Sequence, residues 1–283
     1  MKPDPTRLRQ VALVVRDLKE ARRVLTRVLG TEVCYVDPGV SKFGLENFLL
    51  PLGGDLLEVV SPTRPNTTAG RLLDRRGDSG YMIIMQNLDA SARCKYIESL
   101  GHDVIWGYSH DDVECVQYHP RGIKGGMMPE LDSHAPTKEN LIPLKDRFSK
   151  WHACGPDFEI YSRLMRKFSD LHLLGVLLRL GEGDVDTEGA AREWRDVFGV
   201  SMSRDLLAFT NARMGFVRGR KGREAGLESL TIGVEGRERF SGILRRARED
   251  GVCGEGWVNM CGVKWYFVLL NEKGIDEEAG SKL

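Results

Sequence analysis

The chain has 283 residues, 41% hydrophobic and 29% charged, a length that can bury the core of one large or two modest domains. Its 41 Lys and Arg residues balance its 41 Asp and Glu residues, so no overall field favours a nucleic acid or an anionic membrane as partner. The six cysteines form no CxxC pair and no apolar stretch approaches the roughly 18 residues of a membrane span. We therefore expect a cytoplasmic protein with free thiols.

One pattern occurs four times along the chain. Each copy has an apolar strand-like run, a turn, an amphipathic helix and a glycine that ends the helix, and the copies cover 10–30, 81–101, 173–199 and 230–251. In the first copy the apolar positions 18, 21, 24, 25, 28 and 29 follow helical spacing. Repetition of one supersecondary unit predicts a repeat architecture in which neighbouring units bury each other's apolar faces.

Further strand-like runs follow each helix in chain order. They lie near 31–37, 42–52 and 55–61 after the first helix, and near 103–108, 112–119 and 126–132 after the second. The later runs lie near 204–210 and 212–218, then near 252–260 and 262–270. Strands thus outnumber helices about three to one. This excess predicts an α+β fold and excludes alternating βα winding.

The spacing between copies increases in the middle of the chain. The excess is the segment 134–170, which carries Pro136, Pro143 and Pro156 and has apolar spacing for one short helix at 158–168. We interpret it as a connection between domains. The predicted organisation is a first domain at 1–133, a linker with a short helix at 134–170, and a second domain at 171–283.

The stretches FGLENFLLPLGGDLLEVVSP (43–62) and HPRGIKGGMMPELD (119–132), set in this repeat, resemble the vicinal oxygen chelate superfamily. That superfamily includes glyoxalase I, methylmalonyl-CoA epimerase, extradiol dioxygenases and bleomycin-resistance proteins, and the chain is most similar to its glyoxalase-like members over 7–132. Over 170–272 the resemblance rests on repeat topology alone. It implies tandem βαβββ units that pair into two curved mixed sheets, with the helices outside.

The resemblance also implies a metal cup with ligands from the first and last strands of two paired units. Carried over to this sequence, the ligands are Gln10, Glu58 and Glu130. The fourth position falls at 80–82, where Tyr81 and Met82 are poor ligands for a hard divalent ion. The ligand set for one divalent ion is therefore incomplete, and the cup could work with or without the ion. No nucleotide cofactor is expected, because Asp186 replaces the third glycine of a dinucleotide-binding loop at 180–190.

Glu58 and Glu130 are the predicted catalytic groups. Together they can balance a divalent ion that acts as a Lewis acid on a carbonyl oxygen. Without metal, mutual repulsion and burial raise a carboxyl pKa, which suits proton transfer beside a carbonyl. The alternative is that both glutamates lie on solvated strand faces. His119, before Pro120 at a strand end, can serve as a proton shuttle, a substitute ligand or an anion anchor, or can simply bond a loop carbonyl.

The remaining candidates would bind substrate, with Gln10 among them. Asn47 can point into the cup or satisfy a turn, and Arg121 can hold a carboxylate or lie exposed in its loop. An apolar wall with one or two polar groups would suit an aromatic or polyketide-like ligand, although core packing is the ordinary role of such side chains. The residues of this wall are Tyr81, Met82, Trp106 and Met128.

The second pair of units offers few chemical groups. Its first strands carry His172 and Glu228, and its late strands carry no partner for them. We therefore predict a degenerate second cup with a structural role.

Two functions follow from these residues and from the resemblance. The first is a glyoxalase-like enzyme, an isomerase, epimerase or lyase, that acts on a small carbonyl or phenolic metabolite by carboxylate-mediated proton transfer. Extradiol chemistry is less compatible, because it needs iron held by two histidines and a carboxylate. The second is a non-catalytic protein of the bleomycin-resistance type that sequesters a hydrophobic or aromatic small molecule. Four units can build two cups within one chain, so a monomer or a homodimer is expected.

Overall fold

The structure is a computed structural model that describes residues 5–110, 112–138 and 140–270. Its first half contains β1 (Arg7–Val14), α1 (Leu18–Leu29), β2 (Leu45–Leu52), β3 (Asp55–Pro62), α2 (Thr68–Arg76), β4 (Ser79–Gln86), α3 (Ala90–Ser99), β5 (Val104–His110), β6 (Val113–Tyr118) and β7 (Met128–His134). Its second half contains α4 (Phe158–Lys167), β8 (Leu171–Arg179), α5 (Thr187–Phe198), β9 (Ser201–Ser203), β10 (Leu206–Ala208), β11 (Arg213–Val217), β12 (Gly226–Glu235), α6 (Arg237–Glu249), β13 (Val258–Met260) and β14 (Val263–Leu270).

The strands form two seven-stranded mixed sheets, which confirms the predicted α+β class. The first has the order β2-β3-β1-β4-β7-β6-β5 and the second β13-β14-β12-β8-β11-β10-β9. At the centre of the first sheet β1 is antiparallel to β4, and each has a parallel outer neighbour, β3 and β7. In the second sheet β8 and β12 make the same antiparallel pair, with β11 and β14 as their parallel neighbours. The repeated pairing is the arrangement expected of duplicated units.

The helices form where the apolar spacing predicts them. In α1 the side chain of Asp17 accepts a hydrogen bond from the Glu20 N–H, and the helix ends at Gly30 in the left-handed conformation, with φ of 61°. The apolar side of α1 is buried beneath the sheet, and the corresponding sides of α5 and α6 are buried too. No described helix has the length and apolar character that crossing a bilayer requires.

One expectation for the first unit was wrong, and one helix was missed. The run 31–37 forms no strand, and only Tyr35 makes an isolated bridge, to Leu49. Pro38–Phe43 is a 3-10 helix instead, because proline suits the first turn and the Asp37 side chain accepts the Gly39 N–H. The sequence pattern also missed α2, which buries only Ala69 and Leu73 and so shows little apolar periodicity.

The segment 134–170 is more than a connection, because it covers the concave face of the first sheet. Trp151 and Tyr161 are buried in one cluster with Leu56 and Met82 of that sheet. The predicted short helix is α4, which begins after its cap Asp157. We call residues 144–168 the cover segment.

The cover segment also approaches the turn between β2 and β3 very closely. The Arg147 carbonyl oxygen lies 1.8 Å from the place that a Cβ on Gly54 would take, so a side chain there would collide with backbone. Arg7 donates hydrogen bonds to the carbonyls of Asp146 and Arg147, each at 3.1 Å, and forms an ion pair with Asp55. The segment therefore sits on the sheet through both apolar and polar contacts.

The two sheets also contact one another. Buried apolar residues of both belong to one continuous core, and α1 contacts α6 while α3 contacts α5. Asn211 of the second half exchanges hydrogen bonds of 3.0 and 2.9 Å with the backbone of Leu8, and it donates another to Asp55. The division into domains at 1–133 and 171–283 stays a prediction, and β7 extends one residue past the first boundary.

Replacing Trp151 with alanine is expected to destabilise the protein by about 3–5 kcal/mol, because this indole of the cover segment is fully buried against the first sheet. Leu141→Ala is the control, since that side chain is 73% exposed in the same stretch of chain and should change stability by less than about 0.5 kcal/mol. The free energies of unfolding come from urea titration. A loss below about 1 kcal/mol for Trp151→Ala would contradict the packing described here.

Candidate functional site

The candidate site lies on the concave face of the first sheet, beneath the cover segment. Successive side chains of a strand point to opposite faces, so Leu57 and Val59 of β3 enter the helix-side core while Glu58 faces the cup. On β7 Leu131 enters the core, and Glu130 and Asp132 face the cup. The pairing of two units thus brings carboxyl groups from equivalent strands to one concave surface.

Glu58 is held by two side-chain amides. Asn47 Nδ2 donates to its Oε1 at 2.7 Å, and Gln10 Nε2 donates to its Oε2 at 2.9 Å. Gln10 Oε1 in turn accepts a hydrogen bond from Trp151 Nε1 at 2.7 Å. Burial raises the pKa of Glu58, and the two amides oppose that rise. Gln10 and Asn47 therefore meet Glu58 at the cup, as positioned donors.

Glu130 lies across the same cup. It is 7% exposed, and Gln117 Nε2 donates to its Oε2 at 2.6 Å. Burial raises the pKa of Glu130 well above its ordinary value, and the neighbouring carboxylates of Asp132 and Glu58 raise it further. The influence of Glu58 on Glu130 shows that the two predicted catalytic carboxyls are electrostatic neighbours.

Tyr81 lies near both glutamates. Burial first, and then the charges of Glu58 and Glu130, raise the pKa of its phenol to about 12. The phenol therefore stays protonated at neutral pH and can donate a hydrogen bond to an anionic oxygen.

Three residues of the cup were missed from the sequence. Cys115 of β6, Asp132 of β7 and His152 of the cover segment each place one donor atom within 4.8 Å of the others and of Glu130. His152 Nε2 lies 2.9 Å from Asp132 Oδ2. Strand alternation around Glu130 could have indicated Asp132. His152 gives no local signal, because it lies in a stretch interpreted as a connection.

These four residues could hold a metal ion. Their thiol, imidazole and carboxyl groups suit a divalent transition metal. Of the predicted ligands only Glu130 belongs to this group, whereas Gln10 and Glu58 hydrogen-bond each other. Gln10, Glu58 and Glu130 as a ligand set stay a prediction.

His119 and Arg121 lie in the turn after β6. The His119 Nδ1 accepts a hydrogen bond from the backbone N–H of Arg121 at 2.9 Å, and the Arg121 side chain is exposed. Their predicted roles in proton transfer and anion binding stay predictions.

The predicted apolar wall divides into two parts. Met82 and Met128 are buried in the cluster that contains Trp151. Trp106 instead lies on the outer strand β5 opposite Gln117, so both side chains face the concave side. Its ring is stacked at 6.1 Å on Tyr108, which is 41% exposed, and meets Phe43 edge-on at 6.2 Å. We call Phe43, Trp106 and Tyr108 the aromatic rim.

The second sheet lacks a comparable pair of carboxyls among its described residues. Glu228 forms ion pairs with Arg179, with Lys264 at 3.1 Å and with Arg220 at 3.2 Å. Burial alone would raise the pKa of Glu228, but the three cations lower it by more, so its pKa lies below the ordinary value. His172 is bonded to Glu235 instead, at 2.7 Å. The structural role of this half stays a prediction.

No protein-family model and no curated protein matches the chain. Among solved structures, a hypothetical protein from Staphylococcus aureus covers 94% of this chain and 100% of its own, with a TM-score of 0.58 and 10% identity. Streptomyces coelicolor methylmalonyl-CoA epimerase covers 46% of this chain and 99% of its own, at 20% identity and a TM-score of 0.42. The epimerase from Mycobacterium tuberculosis covers 46% and 88%, at 22% identity and a TM-score of 0.40.

The first of these similarities extends over nearly the whole chain and therefore concerns both sheets. Each sheet repeats a central antiparallel pair of strands, each flanked by a parallel partner. This strand arrangement agrees with the predicted pairing of glyoxalase-like βαβββ units. At 10% identity the similarity to the Staphylococcus aureus protein shows a shared fold alone.

The raised pKa of Glu58 predicts a pH-dependent stability. The folded state holds this proton at pH values where the unfolded state, with a pKa near 4.5, has lost it. Wild-type stability should therefore fall as pH rises from 4.5 through the folded pKa. Glu58→Gln should remove this part of the decline, so the stability difference between variant and wild type should grow with pH.

Urea titrations of chelator-treated protein between about pH 4.5 and 8 test this expectation. Glu46→Gln is the matched control, because Glu46 is exposed on β2 of the same sheet. A stability difference between Glu58→Gln and wild type that stays constant across the range would contradict burial of a protonated Glu58.

Proposed function

We propose that this chain is an enzyme that transfers a proton beside the carbonyl group of a small metabolite, as an isomerase, epimerase or lyase. The observation that carries the proposal is the placement of Glu58 and Glu130, one from each paired unit, in one cup where each carboxyl is held by amide donors. Two proton carriers on opposite sides of a bound carbon can remove a proton and return it. Such a pair suits epimerisation or isomerisation.

Glu58 is assigned the role of general base. Its two amide hydrogen bonds fix the carboxyl plane, and its half-buried position leaves it reachable from the cup mouth. Because burial raises its pKa, the carboxylate form is a stronger base than a free glutamate. Glu130 is assigned as the acid that returns the proton in the site without a bound ion. His119 is retained as a proton shuttle at the strand end.

The anionic oxygen that develops during proton abstraction needs a donor. The protonated phenol of Tyr81, close to both carboxyls, is placed to supply one. A divalent ion bound beside Glu130 would supply Lewis-acid stabilisation of the same oxygen. Gln10 and Asn47 hold Glu58 in position, and Arg121 is proposed to meet a substrate carboxylate at the rim.

The substrate is proposed to be a carbonyl or phenolic compound with an apolar or aromatic part. The aromatic rim supports this choice, since Phe43 and Tyr108 are 45% and 41% exposed beside the cup. Lys42 Nζ lies 4.9 Å from the Phe43 ring and 5.6 Å from the Trp106 ring. A flat apolar group can pack on these rings while its carbonyl reaches the carboxyls.

The aromatic rim also favours a second candidate, a protein that sequesters an aromatic metabolite without chemistry. Ring stacking needs no ionised carboxyl, so binding of this kind should survive replacement of both glutamates. The two candidates therefore differ in proton transfer rather than in binding.

Proton transfer can be measured without knowing the reaction. A panel of small ketones, aryl ketones and thioesters is incubated with the protein in D₂O, and exchange of the hydrogen beside the carbonyl is followed by ¹H NMR. Glu58→Gln and Glu130→Gln are each expected to reduce the exchange rate by about 10²–10⁴-fold, because each removes a proton carrier. Glu46→Gln is the exposed control and should match wild type.

Unchanged exchange in Glu58→Gln would remove that residue from catalysis and overturn the mechanism. If panel compounds bind, by calorimetry, to wild type and to the double glutamine variant with no exchange in either, the sequestering candidate replaces the enzyme. Circular dichroism of every variant separates lost chemistry from lost folding.

A further inference from the structure

We propose that Cys115, Glu130, Asp132 and His152 form a binding site for a divalent transition-metal ion of the zinc type, with the Cys115 thiolate as a ligand. The site differs from the one implied by the sequence resemblance, since it shares only Glu130 with that set. Its contribution to turnover rests on the proposed function, but ion binding itself does not.

The geometry suits a four-coordinate ion. One donor atom from each residue lies within 4.8 Å of all the others. Donors at about 2.0–2.3 Å from a tetrahedral zinc ion lie roughly 3.3–3.8 Å apart, so small side-chain movements would close the shell. The donors come from β6, β7 and the cover segment, which are fixed by sheet pairing and by the buried Trp151.

The charges also favour a cation. Glu130 and Asp132 lie two residues apart on the same face of β7, and they are 7% and 0% exposed. Neither makes an ion pair with a Lys or Arg residue in the described part of the chain, and His152 is the only basic side chain bonded to Asp132 there. Two buried carboxylates without a strong cation are costly, and a divalent ion would balance them.

An unpartnered atom points to the same place. Asp132 Oδ1 is buried and lacks a hydrogen-bond partner of good geometry among the described residues. A buried carboxylate oxygen without a partner is uncommon in a folded protein. An ion held between Asp132 and its three neighbours would satisfy this oxygen.

The alternative position between Gln10 and Glu58 is less suitable. Both Glu58 oxygens already accept amide hydrogen bonds, and Gln10 presents its N–H rather than its oxygen to Glu58. An ion there would have to displace these donors. In the proposed four-residue site an ion would replace the hydrogen bond between His152 and Asp132, and Asp132 Oδ1 has no donor to displace among the described residues. A thiolate also favours zinc-type ions over magnesium or calcium.

His152 gives the site a further property. It belongs to the cover segment, whereas the other three donors belong to the sheet. An ion bound by all four residues would therefore join the segment to the sheet, and its binding free energy would add to the stability of the covered state.

Cobalt(II) is the probe for this site. The full-length protein is stripped with a chelator, and Co²⁺ is added while the absorbance is recorded. One Co²⁺ per chain is expected, with a thiolate-to-cobalt charge-transfer band that Cys115→Ser abolishes. His152→Ala should weaken binding about tenfold or more, and competition with Zn²⁺ should bleach the spectrum.

Cys253→Ser is the matched control, because that thiol is exposed and lies outside the group, and its spectrum should equal that of wild type. Failure of Co²⁺ to bind at one per chain, or a band that persists in Cys115→Ser, would overturn the proposal. Loss of binding in Gln10→Ala with retention in His152→Ala would also overturn it and place the ion beside Glu58.

Circular dichroism on each variant checks folding, and His152→Ala gives a second test if Cys115→Ser does not fold. The outcome is separable from the proposed function. Ion binding without deuterium exchange in wild type would refute the enzyme alone, and exchange by chelated protein that binds no Co²⁺ would refute the ion site alone.

Discussion

Burial of Trp151 against the concave face of the first sheet is the contact on which the rest of the site depends. The indole fills the apolar part of the cup, and its N–H holds Gln10, which in turn holds Glu58. Its ring also lies over the guanidinium of Arg9, which is fully buried and has its pKa lowered to about 9 by that burial and by Arg7. A side chain from outside the repeat thus fills the cup and, through Gln10, orients Glu58.

The surroundings of Glu58 and Glu130 explain why the pKa of each carboxyl is raised. The amide side chains that donate to Glu58 and Glu130 are neutral, so they orient charge without neutralising it. His134, beside Trp151, has its pKa lowered to about 3 by burial, by His152 and by Arg9, so it stays neutral. In the second sheet Glu228, the buried glutamate among the residues that the structure describes there, has three cationic partners. The two halves share a sheet architecture. They differ in that Glu228 is paired with cations, whereas Glu58 and Glu130 are bonded to neutral amides.

The repeat could be predicted from the sequence because the periodicities of helices and strands involve residues that are close in the chain. Alternation along β3 and β7 left two alternatives for Glu58 and Glu130, a shared cup or solvated strand faces, and the superfamily resemblance favoured the cup. The packing of the cover segment could not be predicted from such periodicities, because Trp151 and Tyr161 are buried against a sheet whose strands are distant in the chain. The same reason hid His152, whose partner Asp132 is twenty positions away. The missing strand at 31–37 was decided by Pro38 and Asp37, which favour a 3-10 turn over extension.

The close approach of Arg147 to Gly54 has a consequence for how this protein can vary. Hairpin turns at a sheet margin ordinarily accept extra residues, since they project into solvent. Here the turn is pressed against backbone from a distant part of the chain, and even one added methyl group would meet a carbonyl oxygen. Substitutions and insertions at this turn should therefore be tolerated as poorly as in a hydrophobic core. Its local sequence, LGGD, does not distinguish it from a surface loop that accepts such changes.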